Sequence, residues 1–236
     1  MNKIKTIWQA LGKLRDDKED TTQVFTILSV LGERAGQQAY KRFMRHNNAQ
    51  DMLNAPRDLM AHLCDSEWLQ SLPVGSLGRE YYDFTTREKI SADGLAQASD
   101  EGTIGDRYKE NEQQGRFSKR QRDAHDLWHV VTGYGRDELG EISLLAVTWR
   151  QLGNVGILLI IGLGVSEMRA TLGLRRSWHV LAEGFRLGRR AKWLPEAQWE
   201  YLLTQPLSEV RAQLNITPPR TYRETLTAYP EILEAI

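Results

Sequence analysis

The chain has 236 residues, and its 31 Lys and Arg are matched by 31 Asp and Glu, so the formal net charge is zero. That balance argues against nucleic-acid binding, which carries a basic excess, and the length suffices to bury a core without covalent staples. Cys64 is the one cysteine, which excludes an intramolecular disulfide and fits a reducing compartment. With Leu59, Met60 and Leu63 around it, Cys64 reads as a core thiol.

The N-terminal stretch "MNKIKTIWQALGKLRDDKEDTTQ" holds no long apolar run and no small-residue cleavage site, so no secretory signal is expected. Asp16, Asp17, Glu19 and Asp20 argue equally against a transit peptide. Val24, Phe25, Ile27, Leu28 and Leu31 then form an apolar stripe, continued by Ala39, Tyr40 and Phe43. Ser76 stands as a helix N-cap before Leu77, Tyr81 and Phe84. Ser91 to Arg122 is rich in Gly and charge and poor in aliphatic residues, and reads as a mobile loop. The longest apolar run, Val155 to Val165, has eleven residues. A membrane span needs about 20, so the run reads as a buried core helix. Val180, Leu181, Phe185 and Leu187, and then Trp199, Leu202 and Leu203, recur at helical spacing. Strand alternation is scarce. The expectation is one all-α domain over residues 1–236, built of about eight to ten helices.

The stretch "HDLWHVVTGYGRDELGE" at 125–141 concentrates chemistry. On a helix, His125 and His129 differ by only about 40° in direction, so both imidazoles face one way, as in H-x-x-x-H metal sites. The pair alone is a weak signal, because such spacing also arises on solvated helix faces. Asp126 lies at the edge of the same face, where it could ligate an ion, orient an imidazole or act as a base. Straight helix would carry Glu141 about 18 Å away. Gly133, Gly135 and Gly140 supply a turn, and a second helix beginning near Leu139 to Ile142 returns Glu141 to the histidines. Two imidazoles with one or two carboxylates suit zinc, or the two-His, one-carboxylate set of non-haem iron. Asp137 and Glu138 read as charges complementing a helix N-terminus, and as substitute ligands.

These residues resemble the coenzyme Q (ubiquinone) biosynthesis protein 4 family, whose proposed metal motif is H-D-x-x-H, eleven residues and Glu. Here it is His125, Asp126, His129 and Glu141. "GSLGREYYDF" at 75–84 resembles the family's L-G-R-x-Y segment. The stretch from "AEGFRLGRRAKW" to the final I-x-x-P resembles its C-terminal region.

The resemblance implies an all-helical fold and a divalent metal, zinc first and iron(II) as the alternative. The implied activity is oxidative decarboxylation of a polyprenylated 4-hydroxybenzoate-derived ring, with hydroxyl replacing the C1 carboxylate. Asp126 and Glu141 are the candidate catalytic groups. The alternative is a non-catalytic lipid-binding scaffold that organises other ubiquinone-biosynthesis proteins around a structural metal. A metal-dependent hydrolase is disfavoured, because such motifs carry Glu after the first His and this chain has Asp126. Eukaryotic members are mitochondrial. Without a transit peptide, the expectation is a bacterial relative in the cytoplasm, peripheral to the inner membrane, with a homodimer among its assemblies.

A polyprenyl tail needs an apolar groove. Expected substrate contacts are Arg79, Tyr81, Tyr134, Val155, Leu158 and Leu159, with Val155 to Val165 as one wall or simply as core. Arg169 to Trp193 carries seven cations against Glu183 alone, together with Trp178 and Trp193. It reads either as a membrane-facing surface or as a charged exterior.

Overall fold

The computed structural model describes residues 3–16, 21–55, 57–90 and 112–232, and these form thirteen α-helices, two 3-10 turns and no strand. In chain order the helices are α1 (Lys3–Asp16), α2 (Thr21–Phe43), α3 (Ala49–Asn54), α4 (Leu59–Leu63), α5 (Ser66–Ser71) and α6 (Leu77–Glu88). After them come α7 (Glu112–Asp123), α8 (His125–Thr132), α9 (Glu138–Leu152) and α10 (Val155–Arg190). The chain ends with α11 (Trp199–Leu202), α12 (Leu207–Gln213) and α13 (Arg220–Ala228). The all-α expectation holds. The helices beyond eight to ten are short ones, of a turn or two, such as α4 and α11.

Local chemistry accounts for several of the helix starts. Ser76 caps α6, its hydroxyl accepting from the Arg79 amide at 3.3 Å. Asp58 and Asp65 cap α4 and α5 in the same way. A main core of Leu77, Tyr81, Leu127, Val131, Leu139, Leu144, Leu181 and Trp199 joins α6, α8, α9, α10 and α11. A smaller cluster of Ala39, Phe43, Ala49, Leu53, Phe117 and Trp193 sits over α2, α3 and α7.

Four expectations need correction. The loop read over 91–122 ends early: 91–111 lies outside the described residues, but Glu112–Asp123 is helix. Tertiary contacts hold α7, because Phe117 packs 4.9 Å from Phe43, and Arg120, 5% exposed, makes a two-pronged ion pair with Glu200. Cys64 is exposed rather than core. Leu59 and Leu63 take the buried face of α4, and one further residue rotates Cys64 off it by about 100°. Trp193 is buried rather than superficial, with Arg42 stacked on its ring at 4.1 Å and its indole N–H donating to Gln151 O at 2.8 Å.

The fourth correction concerns α10. Its apolar window is only 33% buried, and the helix is long and apolar enough, by length and composition, to cross a membrane. Gly156, Ile157, Ile161, Val165, Met168 and Leu172 form the covered face, whereas Val155, Leu158 and Leu163 are exposed. Gly173, at φ 72° and ψ 154°, breaks the helix. Ile142 of α9 touches Gly164 before the break, while Ser143 and Val147 touch Gly184 and Gly188 after it. The second half of α10 therefore folds back over α9. A Cβ at Gly184 or Gly188 would lie 2.6 Å or 2.7 Å from an α9 carbonyl, so glycine sets how closely these helices approach. The side chain of Phe25, counted in the N-terminal stripe, lies outside the described residues.

Candidate metal centre

The site is assembled on two helices and the turn between them. Only Ala124 separates α7 from α8, and α8 sets His125 and His129 one turn apart with ring centroids 4.9 Å from each other. Ligand atoms of His125, Asp126 and His129 all lie within 4.8 Å of one another. His129 is 1% exposed and its Nδ1 lies 3.1 Å from the Tyr134 carbonyl oxygen. A carbonyl only accepts, so Nδ1 carries a proton, and in the neutral ring Nε2 presents its lone pair.

Gly133 ends α8 in the left-handed conformation, φ 82°, and donates its N–H to His129 O. Asp137 opens α9, accepting from the Gly140 amide at 2.9 Å. A Cβ at Gly140 would lie 2.2 Å from Gly135 O, so the turn closes this tightly only with glycine there. Glu141, in the first turn of α9, thereby returns to place Oε2 3.5 Å from His129 Nε2. That approach lacks hydrogen-bond alignment, and His129 Nε2 has no hydrogen-bond partner among the described residues. A buried lone pair facing a carboxylate, with a second imidazole alongside, is a donor set that divalent zinc or iron(II) fits.

The charges are mutually supporting. Burial disfavours the carboxylate of Glu141, but His129, His125 and Arg136 outweigh it and hold its pKa below the usual value. Asp126 behaves likewise, with burial opposed by its contact to His125, 3.2 Å from the His125 Nδ1, and by His129. For His125, burial works against the charged ring, yet Asp126 and Glu141 prevail and raise its pKa. Arg136 Nε lies 3.7 Å from Glu141 Oε1 at the outer edge.

A cleft of about 180 Å³ reaches His129, lined in part by Glu80, Phe84, Arg87, Tyr134 and Arg211. Of the residues expected to contact substrate, Tyr134 lines it. Arg79 is instead engaged by Asp83 at 3.3 Å and by the Gln70 carbonyl at 2.8 Å, which turns it toward α5. Tyr81 is buried in the main core. Val155, Leu158 and Leu159 lie on α10 and do not line this cleft.

Sequence reasoning missed several supporting residues. Phe84 stacks on His129 with centroids 5.8 Å apart. Arg211 donates to the Val130 and Val131 carbonyls at 3.0 Å and 2.9 Å, satisfying the C-terminal end of α8. Tyr222 donates to Asp137 and accepts from the Gly135 amide at 2.9 Å. Asp137, read from the sequence as a helix N-terminal charge, did carry a local signal, an acidic residue three positions before a helical amide. Arg211 and Tyr222 act across some 80 residues of chain.

Comparison with known proteins identifies the family and agrees with the fold. The model of the family described as coenzyme Q (ubiquinone) biosynthesis protein Coq4 matches residues 7–220. The mitochondrial ubiquinone biosynthesis protein COQ4 homolog of Rattus norvegicus is 31% identical over 202 residues, covering 82% of this chain and 71% of its own length. The Homo sapiens counterpart is 30% identical over 206 residues, with the same coverage. A crystal structure of a Nostoc punctiforme protein named for ubiquinone biosynthesis superposes with a TM-score of 0.63 at 19% identity, over 91% of this chain and 98% of that one, and supports the fold. With the family model spanning residues 7–220 and 71% of the rat and human relatives covered, the chain belongs to the coenzyme Q (ubiquinone) biosynthesis protein Coq4 family.

Proposed function

We propose that the chain acts in ubiquinone biosynthesis as a metal-dependent oxidative decarboxylase of a polyprenylated 4-hydroxybenzoate-derived ring. The observation that carries this reading is the unpartnered, buried Nε2 of His129, 3.5 Å from Glu141. His125, His129 and Glu141 would hold the ion, and Asp126 would orient the His125 ring or ligate beside it. A divalent ion there supplies positive charge opposite the ring carboxylate or phenolate and, as iron(II), a redox centre.

The reaction breaks the bond between C1 and its carboxyl group with loss of carbon dioxide. It forms a C1–oxygen bond with one atom of dioxygen, whose other atom leaves as water on taking up two protons and two electrons from an external reductant. The chain's part is to bind and to exclude water. The cleft beside His129 is comparable in size to an engineered cavity of about 150 Å³ that admits one benzene ring. Arg87 and Arg211 on its wall offer cations to a carboxylate or phenolate. Asp126, beside His125, would serve as the base for a phenolic proton if the ring reaches past His129.

The scaffold reading has its own support. The exposed apolar residues of α10, Val155, Leu158 and Leu163 before Gly173 and Leu174 and Trp178 after it, with the exposed Arg169 and Arg175 on either side of the break, would suit an anionic membrane surface without any chemistry. The two readings separate on one assay. Zinc- or iron-loaded protein is incubated with a prenylated 4-hydroxybenzoate derivative, dioxygen and a reductant, and products are identified by mass spectrometry. Conversion of carboxylate to hydroxyl that Glu141→Gln abolishes supports the enzyme. Binding of the prenylated ring without conversion under either metal overturns it in favour of the scaffold.

A further inference from the structure

We infer that Tyr222, through Asp137, is a positioning residue for the metal ligands, latching the turn that brings Glu141 to His129; this rests on the metal reading proposed above. Two ligand orientations depend on one turn. Tyr134 fixes the His129 ring through its carbonyl, and Asp137 starts the helix whose first turn carries Glu141. Tyr222 spans the same segment: its hydroxyl accepts from the Gly135 amide at 2.9 Å and donates to Asp137 Oδ2. The other Asp137 oxygen accepts from the Gly140 amide at 2.9 Å, while the Asp137 carbonyl accepts from the Glu141 amide at 2.9 Å. A continuous path therefore runs from the phenol to the backbone of the ligand.

The latch is buried and tight. Asp137 and Tyr222 are each 2% exposed, and the Tyr222 ring packs edge-on to Tyr134 at 5.1 Å. A Cβ at Gly135 would lie 2.7 Å from Asp137 Oδ2 and 2.8 Å from the Tyr222 hydroxyl, so the phenol closes onto bare backbone. Tyr222 is itself anchored from another element. Glu183 of α10 accepts from the amides of Arg220, Thr221 and Tyr222, each at 3.0 Å, holding the start of α13. The folded-back half of α10 thus sets α13, α13 sets the turn, and the turn sets Glu141. Groups that orient metal ligands from outside the first ring of contacts are worth 10–100-fold in affinity.

The test uses cobalt(II) as a spectroscopic stand-in for zinc, bound to the full chain. Tyr222→Phe keeps the ring and removes both hydroxyl bonds. Its cobalt affinity should fall about 10–100-fold, and the visible ligand-field bands should shift, with the far-ultraviolet circular dichroism retained. Leu53→Ala loosens the smaller cluster away from the turn and should leave affinity and bands unchanged, which separates positioning from general destabilisation. Should Tyr222→Phe fail to fold, Gly135→Ala disturbs the latch from its other side and is held to the same expectation. Cobalt binding by the unaltered chain with the same affinity and bands in the latch variant overturns the inference and spares the metal site. No cobalt binding by the unaltered chain overturns the metal reading and the inference with it.

Discussion

At the scale of single residues, His125 is the group whose titration has the clearest consequence. Burial pulls its pKa down, but Asp126 and Glu141 raise it above the ordinary 6.5. In metal-free protein the charged ring therefore favours the fold below about pH 6.5, and that contribution is lost as pH rises through the raised value. Metal binding has the opposite sign, because it requires the neutral ring. Zinc affinity should accordingly decline as pH is lowered through the raised value, earlier than for an unperturbed imidazole. A competition titration with a chromophoric chelator between about pH 6 and pH 8 checks this, and an affinity flat across that range would contradict it. The residue pattern behind this behaviour was legible in the sequence. Spacing on a helix is local geometry, and the pair His125 and His129 converges as helical periodicity requires. Tyr222 was not legible, since nothing near position 222 signals a turn 85 residues earlier.

At the scale of elements, the turn between α8 and α9 is what makes a site from two helices. Its glycines announced it, and the structure assigns them distinct duties: Gly133 takes positive φ and Gly140 allows backbone contact with Gly135. Gly140→Ala should cost about 1–3 kcal/mol, as overpacking does, seen as a lower Tm together with weakened metal binding. An unchanged Tm would show that the turn has slack. Helix α7 was hidden for the complementary reason. Its sequence is charged, with Phe117 as its main apolar anchor, and its stability comes from Phe43 and from Glu200, far along the chain. The course of α10 was hidden too. An apolar run does not state which of its faces will be covered, and α9 and α2 cover only one.

At the scale of the whole molecule, the all-α architecture was legible from periodicity, and the family from motif and spacing, but the surface was not. The first half of α10 leaves Val155, Leu158 and Leu163 exposed, and Leu174 and Trp178 extend that exposure past Gly173. If this side meets an anionic membrane, binding to vesicles containing acidic lipid should weaken with salt and fall in Arg169→Glu, Arg175→Glu protein by about 1 kcal/mol per cation removed. Cosedimentation unaffected by either change would exclude a membrane role for this side. The central claim, however, is that His125, His129 and Glu141 hold a divalent metal. Metal content per chain of the purified protein, by inductively coupled plasma mass spectrometry, tests it most directly. The account predicts close to one zinc or iron per chain, falling to background in His129→Ala protein that keeps its helical circular dichroism. Substoichiometric metal that His129→Ala leaves unchanged would contradict it.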